Sequence, residues 1–370
     1  MESTFIKDKL EVLDSLCEKE EFDKALEECN NILIKNRKDK DITGLITFKK
    51  ALIYEAKSEY SKSLHYLDKA FDLGGYVDAL IKKYNIYLYL NDNNEALKVI
   101  DKIIEINENL YIGYDLKFNL LFNLGLYDEA FKVIKITEEK FEASSIITLN
   151  KVKSLVRLKR FNETEKIIKQ EKDNIDIQYD LKIEEGMIEA FKGNVREAID
   201  LFKEVYKIFP NNIKLIYLIG SFSLLGGEVD ESHEYFKKLL DIEYSQEQIY
   251  LIGLYYYGVT LKLKNSDKVQ EYFNALIRKY SMYSMNYPNN LTITILKALV
   301  MYELNRCEEA RKIIRRIEAI TSKTVQTTFV QALLYKKENN IVEYEKAKDY
   351  IAEKDEVLSS MLKVIEGGNI

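Results

Sequence analysis

A small residue returns at a fixed spacing along this chain, and that recurrence restricts the fold more than any other feature. Ala96, Ala130, Thr164, Ala198 and Ser232 follow one another at steps of 34 residues. The alignment extends to Ala25 and Ser63 before them and to Val269, Ala310 and Tyr344 after, with outer steps of 38, 33, 37, 41 and 34. Each copy is preceded by Gly or Asn in most units (Asn91, Gly125, Gly193, Gly227, Asn265, Asn305), the residues that tolerate a left-handed helix end. An aromatic or β-branched residue follows two places later, as in Phe22, Tyr60, Tyr127, Phe161 and Val195, and is expected to plug a helix pair. Four places after the small residue comes an apolar one (Ile100, Ile134, Ile168, Phe202, Phe236, Phe273, Ile314), the spacing of an inward helical stripe. A period of this length marks a supersecondary unit that buries its apolar face only by stacking on its neighbours.

Composition supports helices throughout. The chain has 14 Gly and 2 Pro in 370 residues, where Gly alone is about 7% of average usage. A β-sandwich or an α/β enzyme needs more of both for its turns and phosphate loops. The net charge of −6 lacks the basic footprint of a nucleic-acid binder. No apolar run approaches the ~18 residues that span a bilayer, and the acidic start MESTFIKDKLEVLDSL is unlike a signal peptide. Three cysteines, Cys17, Cys29 and Cys307, are too few for a disulfide framework. The expected compartment is the reducing cytoplasm, with no membrane association.

The phrases GNVREAIDLFKEVYKIFPNN (193–212) and GLYDEAFKVI (125–134) carry a family resemblance. With the 34-residue period they resemble the tetratricopeptide repeat family over nearly the whole chain, and Gly186 and Pro210 also fit its consensus. The chain departs from that pattern in having no Trp, in its single repeat-closing Pro, and in the large Val269 and Tyr344 at the small-residue position. The resemblance implies an all-α, right-handed superhelical solenoid of about ten helix hairpins. The segment DEVLSSMLKVIEGG (355–368) reads as an amphipathic capping helix. The expected organisation is an array of eight units over 1–278, an irregular junction at 279–290, two further units over 291–354, and a cap and tail over 355–370. A lengthened helix or a kink is expected at the junction, because Tyr287–Pro288 forbids a continuing helix.

Catalytic chemistry has little to stand on. His65 and His233 have no Cys or second His at ligand spacing, so no metal is expected and both read as packing or surface residues. Cys17 and Cys29 fall on the two helices of the first unit and read as buried thiols. Gly74–Gly75 and Gly226–Gly227 read as helix stops rather than phosphate cradles. No cofactor motif occurs.

The family resemblance places the first helix of each unit on a concave groove. On that basis Asn85, Asn119 and Lys153 form a row, with Tyr89, Asn123, Asn150 and Arg157 beside it. Asn offers a donor and an acceptor together, suited to a peptide backbone, and Lys and Arg suit a carboxylate. The Tyr-rich stretch Tyr255–Tyr257 with Tyr280, Tyr283 and Tyr287, and the basic stripe Arg311, Lys312, Arg315 and Arg316, are further candidate surfaces. The expected function is a non-enzymatic scaffold that binds a protein or peptide partner. The alternative is a peptide-responsive allosteric regulator. Receptors of related architecture carry an N-terminal DNA-binding domain, for which a first unit starting near Met1 leaves no room. Oligomeric state stays open.

Overall fold

The computed structural model describes residues 2–74, 76–242, 248–321 and 323–366. Among them are 21 α-helices, one 3-10 turn and no strand. They pack as two compact units, Met1–Ala143 and Ser144–Ile370. Unit 1 holds α1 (Glu2–Glu18), α2 (Phe22–Lys35), α3 (Lys40–Ala56), α4 (Tyr60–Gly74), α5 (Val77–Tyr89), α6 (Asn93–Ile106), α7 (Tyr111–Asn123) and α8 (Tyr127–Lys140). Unit 2 begins with α9 (Ser145–Arg157), α10 (Phe161–Glu171), α11 (Gln178–Phe191), α12 (Val195–Tyr206), α13 (Ile213–Leu225) and α14 (Val229–Lys237). It continues with α15 (Gln248–Leu263), α16 (Val269–Asn286), α17 (Leu291–Glu303), α18 (Cys307–Ile320), α19 (Val325–Lys337), α20 (Ile341–Lys354) and α21 (Glu356–Ile365).

Each odd helix up to α19 forms a hairpin with the even helix after it, and one kind of turn closes all ten. After every odd helix comes a residue with φ between 53° and 89°: Glu20, Ser58, Asn91, Gly125, Lys159, Gly193, Gly227, Asn265, Asn305 and Asn339. At the α5–α6 turn the Asn91 N–H donates to Leu88 at 3.0 Å and the Asp92 N–H to Tyr87 at 2.8 Å. These paired bonds satisfy carbonyls that a helix end would leave open, and the same pair recurs at the other nine turns. Except at α16, whose N-cap is Lys268, the residue after the turn also precedes the first residue of the next helix; the Asp92 side chain, for example, accepts from the Glu95 N–H. Gly74 ends α4 and Gly226–Gly227 ends α13, whereas Gly75 lies outside the described residues.

The recurring small residues sit where the two helices of a hairpin cross. Ala25, Ser63, Ala96, Ala130, Thr164, Ala198, Ser232 and Ala310 are all 0% exposed, and each is the fourth residue of its even helix. Where the small residue is Ser, its hydroxyl donates to the facing backbone: Ser63 to Ala51 at 2.8 Å and Ser232 to Gly220 at 2.7 Å. Tyr344, at the fourth position of α20 and too large for that seat, stays half-buried, while Val269 falls at the first position of α16 and is also half-buried. Three repeats use a glycine on the odd helix against a phenylalanine on the even one. A Cβ on Gly186, Gly220 or Gly258 would meet Phe202, Phe236 or Phe273 at 2.5, 2.9 and 2.6 Å. Aromatic plugs then join successive repeats: Tyr60 opening α4 lies 4.9 Å from Tyr89 ending α5, and Phe161 opening α10 lies 6.5 Å from Phe191 ending α11.

At 279–290 the chain takes the lengthened-helix option. α16 runs regularly for 18 residues to Asn286, and Asn290 caps α17. In unit 2 the odd helices touch their odd neighbours (α9 with α11, α13 with α15, α15 with α17, α17 with α19), while no comparable contact joins even helices. The odd row is therefore the inner side of that unit. α21 does more than cap: besides α19 and α20 it packs on α13, and so lies across the inner row.

Gly186→Ala drives a methyl into the Phe202 ring and is expected to cost about 1–3 kcal/mol. Ser58→Gly relieves a left-handed serine at φ 59° and is expected to add up to about 1 kcal/mol. Urea denaturation followed by circular dichroism reads both.

Candidate protein-binding surface

In unit 1 the odd helices keep part of one face open. Asn85 on α5 and Asn119 and Asn123 on α7 are exposed. Asn119 Nδ2 donates to the Asp115 carboxylate one turn earlier at 3.1 Å. Tyr89 does not join this row; it is half-buried and packs on Tyr60. The lysines of these helices are matched by acids: Lys82 with Glu55 at 3.3 Å, Lys83 with Asp68 at 2.6 Å and Lys117 with Asp101 at 2.7 Å. The open face therefore offers neutral amides rather than a track of free cations.

In unit 2 the expected row is largely covered. Asn150 is 6% exposed and leaves the surface, because it shares the inward face of α9 with Ile147 and Ser154. Lys153 and Arg157 are half-buried around a deeply buried acid, Glu184 of α11, which is 2% exposed. Arg157 Nη1 lies 3.8 Å from that carboxylate. Burial, reinforced by Lys214, lowers the Lys153 ammonium below its ordinary value, with Glu184 and Asp180 acting the other way. A buried carboxylate persists only with such compensation. α21 lies over this region: Glu356 pairs with Lys159 at 2.6 Å, and burial raises the Asp355 carboxyl, partly countered by its bonds to the Leu358 and Val357 N–H groups and by Arg157.

The Tyr-rich stretch is core. Tyr255, Tyr256, Tyr257, Tyr280 and Tyr283 are 0–8% exposed, which corrects their reading as a surface. Tyr280 donates to the Leu251 carbonyl at 2.6 Å and Tyr255 to Glu303 at 3.3 Å. α13 packs on α12, α14, α15 and α21, and α15 on α13, α14, α16 and α17, so both helices bury most of their apolar residues. The basic stripe lies on the even helix α18, where Lys312, Arg315 and Arg316 are exposed and Arg311 pairs with Glu338.

No group of three His, Cys, Asp or Glu side chains among the described residues could hold a metal. His233 stacks on Tyr257 at 4.9 Å and bonds Thr260 at 3.0 Å, and burial lowers its imidazole below the ordinary value. Cys17 and Cys29 pack in one cluster, and burial pushes the Cys29 thiol up to about 12. No helix among the described residues is long and apolar enough to cross a membrane.

No protein-family model matches the chain. A TPR repeat-containing protein of Methanocaldococcus jannaschii is 24% identical over 206 residues, covering 52% of this chain and 36% of that protein, so the match spans about a third of the relative. A solved tetratricopeptide repeat protein from Parabacteroides merdae is similar in fold, with TM-score 0.53 and 16% identity over 66% of this chain and 95% of that one. The chain therefore has a tetratricopeptide-type repeat fold. A human IFIT1 dimer solved with m7Gppp-AAAA is also similar, with TM-score 0.44 and 12% identity over 92% of this chain and 88% of that one. The likeness to the Parabacteroides merdae protein speaks to the fold alone.

Glu184→Gln removes the charge that balances Lys153 and Arg157 and is expected to cost about 1–3 kcal/mol of stability. Asn85→Ala with Asn119→Ala, both exposed, is expected to stay within about 0.5 kcal/mol of the parent. Equilibrium urea unfolding compares them. In the native protein a thiol reagent is expected to spare Cys29 while labelling Cys307 and, more slowly, Cys17; mass spectrometry of the labelled peptides gives the order.

Proposed function

We propose that this TPR protein is a non-enzymatic interaction scaffold that holds a segment of a protein partner on the faces of its odd helices. One observation carries the reading: in unit 2 a helical segment of the chain itself, α21, is seated on that face. A surface able to hold one peptide segment is the natural place for another.

In unit 1 the docking face is the amide row of Asn85, Asn119 and Asn123. Each side chain presents both a donor and an acceptor to the backbone of an extended peptide. The acid-matched lysines beside them favour a polypeptide over a phosphate backbone, which draws affinity from unpaired cations. The proposed setting is a reducing cytoplasm, in keeping with three free thiols.

The test is affinity capture with the parent protein beside Asn85→Ala/Asn119→Ala/Asn123→Ala, read by quantitative mass spectrometry. Losing two or three hydrogen bonds of about 1 kcal/mol each is expected to weaken a specific partner by roughly tenfold or more. Equal retention by a folded variant would remove the unit 1 row as the docking face.

A further inference from the structure

In unit 2 the inner face is occupied from within. Of the ten residues of α21 only Glu356 and Lys363 are exposed, and Met361, Leu362, Val364 and Ile365 are at most 2% exposed. The helix crosses from α19 and α20 to α13 and carries an ion pair at each end, Glu356 with Lys159 at 2.6 Å and Glu366 with Lys336 at 2.8 Å. This is helix-in-groove recognition with the ligand supplied by the same chain.

The fit leaves specific deficits. Asp355, the single residue between α20 and α21, has its carboxyl drawn out of water. Glu366 Oε1 is buried without a hydrogen-bond partner. A cleft of about 360 Å³ remains between Val357, Ser360 and Val364 of α21 and Phe191, Phe222 and Leu225 of the inner face. A permanent helix contact is expected to cover apolar surface that this cleft leaves partly open to solvent, and to satisfy its buried polar atoms. An occupant that comes and goes has no need of either.

We propose that α21 is an exchangeable resident of the unit 2 groove, and that the groove's partner is an amphipathic helix with carboxylates at both ends that displaces it. The inference rests on the reading that odd-helix faces hold partner segments. The resident helix prescribes the chemistry of its competitor: apolar residues at the spacing of Leu358, Met361, Leu362 and Ile365, and acids where Glu356 and Glu366 meet Lys159 and Lys336. The cleft adds the feature that lets a competitor win. A larger apolar residue at the place of Ser360 enters the space between Phe191 and Phe222 and buries area that α21 leaves open.

The experiment titrates full-length protein with fluorescein-labelled peptides of the 355–366 sequence, either native or with Ser360→Leu, and follows anisotropy together with hydrogen exchange. Burial of the added side chain is expected to make the Ser360→Leu peptide bind at least about tenfold more tightly than the native one. At saturation the amides of α21 lose protection while those of α17 and α19 keep theirs. A peptide carrying Glu366→Lys is expected to lose at least about tenfold. The proposal is overturned if neither peptide binds up to about 100 μM, or if binding leaves α21 as protected as before. The Asn85→Ala/Asn119→Ala/Asn123→Ala variant is expected to bind these peptides unchanged, so failure here and failure of the unit 1 row are read separately.

Discussion

Everything in this molecule hangs on a single left-handed residue repeated ten times. A helix can reverse into an antiparallel partner within three to five residues only if the chain leaves the right-handed region at once and its open carbonyls find donors. The Schellman pair does both, from Glu20 to Asn339. Because the turn is the same each time, nine of the ten even helices start two residues after the left-handed one; α16 starts four after it. The residue at the crossing then falls at its fourth position, where only Ala, Ser or Thr fits fully. Turn geometry thus dictates the small-residue period, and the period dictates where side chains such as Phe202 and Phe236 must lie.

Much of this was legible in the sequence, for a physical reason. A left-handed conformation selects Gly and Asn strongly enough that Asn91, Gly125, Gly193, Gly227, Asn265 and Asn305 stand out. Glu20, Ser58 and Lys159 adopt the same conformation with side chains that do not favour it, so nothing local marks them; there the packing of both helices imposes the turn. Amphipathic spacing likewise marks α21 as a helix but not its destination, since the same stripe suits a cap stacked on α20 or a helix lying across α13. A clue was available in α13 and α15. Helices without a polar side must be covered all round, and the tyrosines of α15 signal that cover rather than a free surface.

The binding row divides for the same reason. Asn85, Asn119 and Asn123 lie exposed on α5 and α7, as the resemblance implies for residues of an open odd-helix face. Asn150, Lys153 and Arg157 continue the row in sequence, but there Glu184 and α21 crowd the face and turn a prospective contact surface into an internal charge balance. Periodicity reports which side of a helix a residue takes; it carries no information about what later lands on that side.

The crossing of α21 also bears on how unit 2 holds together. A linear array of repeats has only nearest-neighbour links, so its ends fray and its stability is a sum of local terms. α21 ties α13 to α19 and α20 directly, a clasp across repeats well separated along the chain. Closing it demands a long loop, and while α21 is seated it couples α13 to the last repeats; a helix that displaces it removes that coupling. Unit 1, without such a clasp among its described residues, keeps the graded unzipping of an open array. Two neighbouring stretches built from the same hairpin would then differ in cooperativity, and the cause is ten residues at the end of the second.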